Sequence, residues 1–211
     1  MPVKELHPVI IHDRKLAVNW WGKSWNANLE SYADFSNRIA RGRSYVRDGA
    51  VVDLNICKGN VTASVRGSRP RPYKVSVDIK PLSESRKKDI LAQCGGRIEN
   101  LEKLMSGEIP EDIGNIFTSR EGLFPSPDEI YFKCSCPDYA YMCKHVAAVL
   151  YGIGSRFDVD PLLFFELRDF DVSSLIKRSV EEKLNSMLKN ADVKTSRIID
   201  DKELGDLFGV L

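Results

Sequence analysis

Cys134-Ser135-Cys136 and, six residues further on, Cys143-Lys144-His145 place three thiols and an imidazole within twelve positions, in the pattern C-x-C-x6-C-x-H. Thiolates and imidazole are soft to borderline donors, and four of them make a complete tetrahedral ligand set for Zn2+. The remaining cysteines, Cys57 and Cys94, and the remaining histidines, His7 and His12, are remote in sequence. A catalytic zinc usually has three protein ligands and a fourth position open to water or substrate. Here the motif supplies four, three of them thiolates. Such a shell carries a formal charge of −1, which Lys133 and Lys144 partly offset, and it is a poor Lewis acid. The metal read from Cys134, Cys136, Cys143 and His145 is therefore structural. The competing reading is four ordinary buried side chains that happen to fall close together.

The flanking residues indicate how the chain would close on the ion. Tyr131-Phe132-Lys133 reads as a strand, in which Cys134 and Cys136 would project from one face. Pro137 has no amide hydrogen and ends that strand. Val146, Val149, Leu150 and Ile153 recur at i, i+3, i+4 and i+7, the stripe of an amphipathic helix. Residues two apart within a helix point to nearly opposite sides, so Cys143 is expected just before this helix and His145 in its first turn. The result is a strand–loop–helix zinc finger.

These residues resemble the SWIM zinc-finger family, whose hallmark is C-x-C, a variable gap, then C-x-H running into an apolar helix. The motif covers about residues 128–155. Trp20-Trp21-Gly22-Lys23-Ser24-Trp25 and Gly42-Arg43-Ser44-Tyr45-Val46-Arg47 are also similar to segments of bacterial and archaeal SWIM-finger proteins. Some of those proteins are encoded beside Swi/Snf-type helicase-like ATPases. The resemblance implies nucleic-acid or protein binding and no established catalytic activity.

At 211 residues the chain suits one domain or two small ones. Hydrophobic residues at 43% and charged residues at 29% are ordinary for a globular protein. No run of eighteen apolar residues occurs and the first residues lack a signal-peptide core, so the expectation is a cytoplasmic protein without a membrane partner. Five cysteines do not make a disulfide framework, and Cys57 and Cys94 are expected to be buried reduced thiols.

A net charge of +1 argues nothing about partners, but its distribution does. Residues 1–87 hold 16 lysines and arginines against 8 acids, and residues 88–211 hold 15 against 22. Such asymmetry suggests a basic binding face paired with an acidic region. Arg38, Arg41, Arg43 and Arg47 bunch around Tyr45, and Arg66, Arg69, Arg71 and Lys74 bunch around Tyr73. Phosphate-reaching cations interleaved with stacking rings suit nucleic acid. A solvated basic face with two core tyrosines suits the same residues equally well. On the first reading the contacts are Arg41, Arg43, Arg47, Arg66, Arg69, Arg71 and Lys74, centred on the Gly67-Ser68-Arg69-Pro70-Arg71-Pro72 turn.

The periodicity predicts an α+β fold: an antiparallel β-meander with helices in the N-terminal region, the strand–loop–helix finger, and a helical C-terminal region. Residues 8–18 read as a short strand or extended arm. A helix is expected from Ser24, as N-cap, to about Ile39, with Trp21 and Trp25 anchoring the core. Alternating runs follow at 44–46, 51–56, 61–65 and 73–79, divided by turn residues. Helices are expected at 83–94, 97–106 and 110–116, after Asp160-Pro161, and from Val172 to Asn190 with Leu175, Ile176, Val180, Leu184, Met187 and Leu188 on its apolar side. Residues 191–202 read as a polar linker, followed by an acidic, apolar end at 204–211. The divisions drawn from this are 1–82, a basic α+β region; 83–122, a helical connector; 123–155, the finger; and 156–211, a helical region with a polar tail.

Neither a phosphate-binding glycine loop with Lys-Ser/Thr nor a Gly-x-Ser-x-Gly elbow occurs. Asp138 and Glu129 flank the finger and could be imagined as general bases, but a solvated acid supporting a loop is the commoner role. The expectation is a non-catalytic, zinc-binding accessory protein that binds nucleic acid, DNA before RNA, and works with a helicase-like ATPase. The alternative is a protein–protein adaptor whose finger docks an ATPase or recombination factor without touching nucleic acid.

Overall fold

The computed structural model describes residues 5–12, 15–94, 111–119 and 121–191. Helices α1 (Trp20–Glu30) and α2 (Ser36–Arg47) lead into strands β1 (Val51–Cys57), β2 (Asn60–Val65) and β3 (Tyr73–Ile79). Then come α3 (Glu84–Cys94), α4 (Glu111–Thr118), β4 (Ile130–Cys134), α5 (Lys144–Val159), α6 (Leu162–Leu167) and α7 (Val172–Ala191). The fold is α+β. Its sheet runs β1-β2-β3-β4 with every pair antiparallel. The finger supplies the fourth strand of the meander, with Cys134 opposite Val75 and Phe132 opposite Val77. One hydrophobic core extends from Val9 to Phe170, and with β4 it joins segments that the sequence had divided at 82 and 123.

Helix α5 lies at the centre. From His145 to Gly154 every residue is buried, not only the expected stripe of Val146, Val149, Leu150 and Ile153. A helix apolar all round belongs in an interior, and α5 packs on the sheet through one side and on α1 and α2 through the other. Small residues permit this. A Cβ at Gly42 would strike the Cβ of Ala147, so glycine sets the closest approach of α2 to α5. Trp21 and Trp25 are core anchors, as expected, and are ringed by Phe117, Phe124, Phe157, Phe164 and Phe165. The Trp25 indole also donates to the Leu150 carbonyl at 2.9 Å.

Several elements differ from the sequence reading. The single helix from Ser24 to Ile39 is two, α1 and α2, with a break at 31–35. The first begins at Trp20 because Asp158 of α5, not Ser24, accepts the amides of Val18 and Asn19 at its start. Residues 44–46 are helical rather than extended, since Ile39, Gly42 and Val46 form a buried helical stripe that a three-residue alternation cannot outweigh. Cys57 is exposed at the end of β1, whereas Cys94 is buried. In α7, Val180, Leu184, Met187 and Leu188 are each more than half exposed, so its expected apolar side is not core. The arm pairs with β1 through Val9 and His7. The helix expected at 97–106, the linker expected at 191–202 apart from Ala191, which closes α7, and the end at 204–211 lie outside the described residues.

The segment leading into β4 is fixed by charge. Glu129 meets Arg86 at 2.5 Å and Arg168 at 3.1 Å, and the Arg168 side chain is fully buried. Arg168 also donates to the Lys80 carbonyl at 2.6 Å. Burial pushes the Glu129 carboxyl upward, but the Ser126 amide and the two guanidinium groups outweigh it and hold the group below its ordinary value. The carboxylate therefore ties α3, β3, β4 and the end of α6 together just ahead of the finger. It acts as an anchor between these elements.

Candidate metal centre and its basic surroundings

Strand β4 ends on Cys134, whose neighbour across the ladder, Val75, is a core residue. The chain then bends through Cys136 and returns as the N-terminus of α5. Cys143 caps that helix with extended backbone (φ −69°, ψ 166°), and His145 is its second residue. Cys143 and His145 stand where the strand–loop–helix reading placed them, but the strand stops at Cys134, so Cys136 lies in the bend beyond it and not on the face of a strand that Pro137 was expected to end. The three sulfurs and one imidazole nitrogen all lie within 4.8 Å of one another. His145 Nδ1 is 3.8 Å from Cys134 Sγ and 4.0 Å from Cys143 Sγ. Zn–S near 2.3 Å and Zn–N near 2.0–2.1 Å in a tetrahedron imply S···N separations of about 3.6 Å, so the four donors fit one zinc with a small contraction. Nδ1 is the nitrogen turned toward the sulfurs.

The electrostatics of the thiols suits a cation. The Cys134 thiol bonded to it pulls Cys143 down to about 4 against the opposing effect of burial, with His145 and the Val146 amide assisting. The same contact with Cys143, together with burial, pushes Cys134 strongly up. The cluster by itself thus favours one shared thiolate. A dication among the sulfurs would let all three ionise, which is how metals invert local proton affinities.

Around the imidazole the packing is tight. The His145 ring stacks on Tyr73 with centroids 4.4 Å apart and meets Tyr45 edge-on at 5.4 Å. A Cβ at Gly67 would come within 2.5 Å of the Tyr73 ring and 3.2 Å of His145 Nε2, so only glycine lets the β2–β3 loop close over this nitrogen. Tyr73 and Tyr45 therefore brace a metal ligand; Tyr73 in particular is buried and is not a stacking surface for bases. The loop between the two cysteine pairs is held from the other side. Asp34 accepts the amides of Tyr141 and Met142 at 2.8 and 3.3 Å. Arg38 pairs with Asp138 at 2.9 Å. Despite burial, the Ala140 amide and Arg38 hold Asp138 below the usual carboxylate range, so it too is an anchor. The sequence carried no sign of these long-range holds, because their partners are about a hundred positions apart.

The folded chain sorts the proposed basic contacts into groups. Arg66, Arg69, Arg71 and Lys74 are exposed at and beside the β2–β3 turn, next to the metal cluster. Arg69 lies over the Tyr73 ring at 5.7 Å, and Lys144 lies over Tyr45 at 5.3 Å. Arg66 also reaches the Gly49 carbonyl. Helix α2 splits the other cluster between two flanks. Arg38 and the exposed Arg41 face the finger side. Arg43 instead meets Glu30 at 2.6 Å and the Tyr151 hydroxyl at 2.8 Å, which commits it to joining α1, α2 and α5. Arg47 lines an open cleft of about 590 Å³ with Lys15 and Lys23. Bunching in sequence thus brought together residues that a helix separates, and it left out Lys144 as part of the basic surface.

Residues 133–152, which contain all four donors, match the SWIM zinc finger. The segment is a SWIM zinc finger, and its Cys3His cluster fits zinc. Over 179 residues the chain is 36% identical to the uncharacterized protein Rv2102 of Mycobacterium tuberculosis. That match spans 84% of this chain and 64% of the relative, so the chain covers less than two thirds of that protein. No solved structure matches the chain. Among the described residues, no helix is long and apolar enough to cross a membrane.

Proposed function

We propose that the protein is a cytoplasmic, non-catalytic accessory factor that binds nucleic acid, DNA before RNA, beside a structural zinc, and that it acts with a Swi/Snf-type helicase-like ATPase. The observation that carries this reading is the union of finger and basic loop in one surface. Gly67 of the loop closes on His145, and Arg69 and Lys144 lie over the two tyrosines that pack against that ligand. Zinc would fix the turn from β4 into α5, and through Tyr73 it would fix the loop carrying Arg66, Arg69 and Arg71. Cations held on a rigid frame lose little conformational freedom when they meet phosphates. Four thiolate and imidazole ligands leave no open position for a substrate, which supports a role without chemistry.

Reversing two exposed charges tests the face without touching the core. Arg69→Glu with Arg71→Glu is expected to lower DNA affinity by on the order of a hundredfold and to reduce the salt slope by about two, with zinc content unchanged. Fluorescence anisotropy with labelled DNA measures both. Unchanged affinity would mean that phosphates are held elsewhere or not at all. One observation favours the adaptor reading: the exposed apolar stripe of α7, with Val180, Leu184, Met187 and Leu188. On that reading the double reversal leaves capture of the ATPase intact.

A further inference from the structure

Tyr139, at the tip of the finger loop, is 83% exposed, and its ring meets only Phe35, edge-on at 5.9 Å, among the ring contacts of the described residues. Phe35 is itself 40% exposed. An aromatic side chain held out in water usually belongs to a floppy loop, but this loop is rigidly framed. Asp34 takes two of its amides, Arg38 and the Ala140 amide hold Asp138, and the Tyr141 hydroxyl donates to the Ile130 carbonyl at 2.9 Å. The ring is thus presented, not merely left outside.

Its neighbours along α2 are basic. Phe35, Arg38, Arg41 and Tyr45 follow at i, i+3, i+6 and i+10, on one flank of the helix. That flank starts at the Tyr139–Phe35 pair and ends where Lys144 covers Tyr45, beside the loop of Arg69 and Arg71. From Phe35 to Tyr45 the rise is about 15 Å. Arg38 is spent on Asp138, whereas Arg41 is exposed with no partner among the described residues. An exposed ring at one end of a cationic track is the arrangement that binds single strands, because each base offers a π-face for stacking and each phosphate a charge. A duplex keeps its bases stacked on each other and would have to open to use the ring.

We infer that the nucleic acid bound here is single-stranded and that Tyr139 is the platform for an unpaired base, with the backbone running along α2 toward the β2–β3 loop. The inference rests on the nucleic-acid reading above. Zinc-loaded full chain, as wild type, Tyr139→Ala and Tyr139→Phe, is titrated against labelled oligo-dT and against a duplex of equal length. Tyr139→Ala is expected to weaken oligo-dT about tenfold and leave the duplex unchanged, while Tyr139→Phe, which keeps the ring, retains wild-type affinity. Equal oligo-dT affinity for all three proteins would overturn the platform, and so would equal loss on both ligands. If Arg69→Glu with Arg71→Glu still lowers affinity by on the order of a hundredfold in that case, the basic face survives without it. Should the wild type bind neither ligand, both the face and the platform fall.

Discussion

Cys143→Ser is expected to strip the chain of zinc and lower its stability by several kcal/mol, and chelation of the wild type should produce the same state. Serine is a good N-cap, so the substitution preserves the start of α5 and removes only the metal ligand. The effect is large because the ligand sits at the head of the helix on which the sheet and two other helices pack. In small zinc-finger peptides, metal binding contributes on the order of 10–16 kcal/mol, and most of it is folding energy. A remaining core from Val9 to Phe170 limits the damage here to local opening of the finger and fraying of α5, with the β2–β3 loop released from Tyr73. Zinc analysis of dialysed protein and thermal unfolding with and without chelator check this. A variant that retains one zinc per chain, or a wild type indifferent to chelator, would contradict it.

Glu129→Gln comes next in size. The carboxylate is the only acid that meets the buried Arg168 side chain in the ion pairs of the described residues, and it meets Arg86 as well. Removing one partner of a buried pair leaves a charge without compensation and costs about 3–5 kcal/mol. Glutamine is nearly isosteric, so the loss reports charge and not volume. The pH dependence has a definite sign. The folded pKa of Glu129 lies below the ordinary 4.5, so its contribution is fully present above that value and is lost as pH falls through the folded one. Urea midpoints of the wild type should therefore drop in acid more steeply than those of the variant. Parallel profiles would show that Arg168 is compensated by other groups.

The finger was legible in sequence because everything that defines it is local. The donor spacing, the strand before it and the apolar period after it fall within residues 130–159, and the geometry follows from them. The meander was legible for β1, β2 and β3, whose β-branched runs are separated by Gly59 and by the Pro-rich turn. What failed were features set by distant partners. The start of α1 is fixed by Asp158, and the break between α1 and α2 by Asp34 reaching the finger loop. The helical choice at 44–46 depends on α5 burying Gly42 and Val46. Arg43 looked like its neighbours until Glu30 and Tyr151 came within reach of it. Tyr73 does carry an arginine, Arg69, but the cation over Tyr45 is Lys144; both tyrosines pack against His145, Tyr73 stacked and Tyr45 edge-on, and the exposed ring is Tyr139, which no periodicity singled out.

The most direct test of the account is a titration of labelled single- and double-stranded DNA with zinc-loaded protein at several salt concentrations. If the face formed by the β2–β3 loop and the finger binds phosphates, affinity falls log-linearly as salt rises, with a slope of about −0.7 per contact on a single strand and about −0.9 on a duplex. Three or four contacts from Arg41, Arg69, Arg71 and Lys144 then give a single-strand slope of roughly −2 to −3. Absence of binding at low salt, or binding indifferent to salt, would contradict the account.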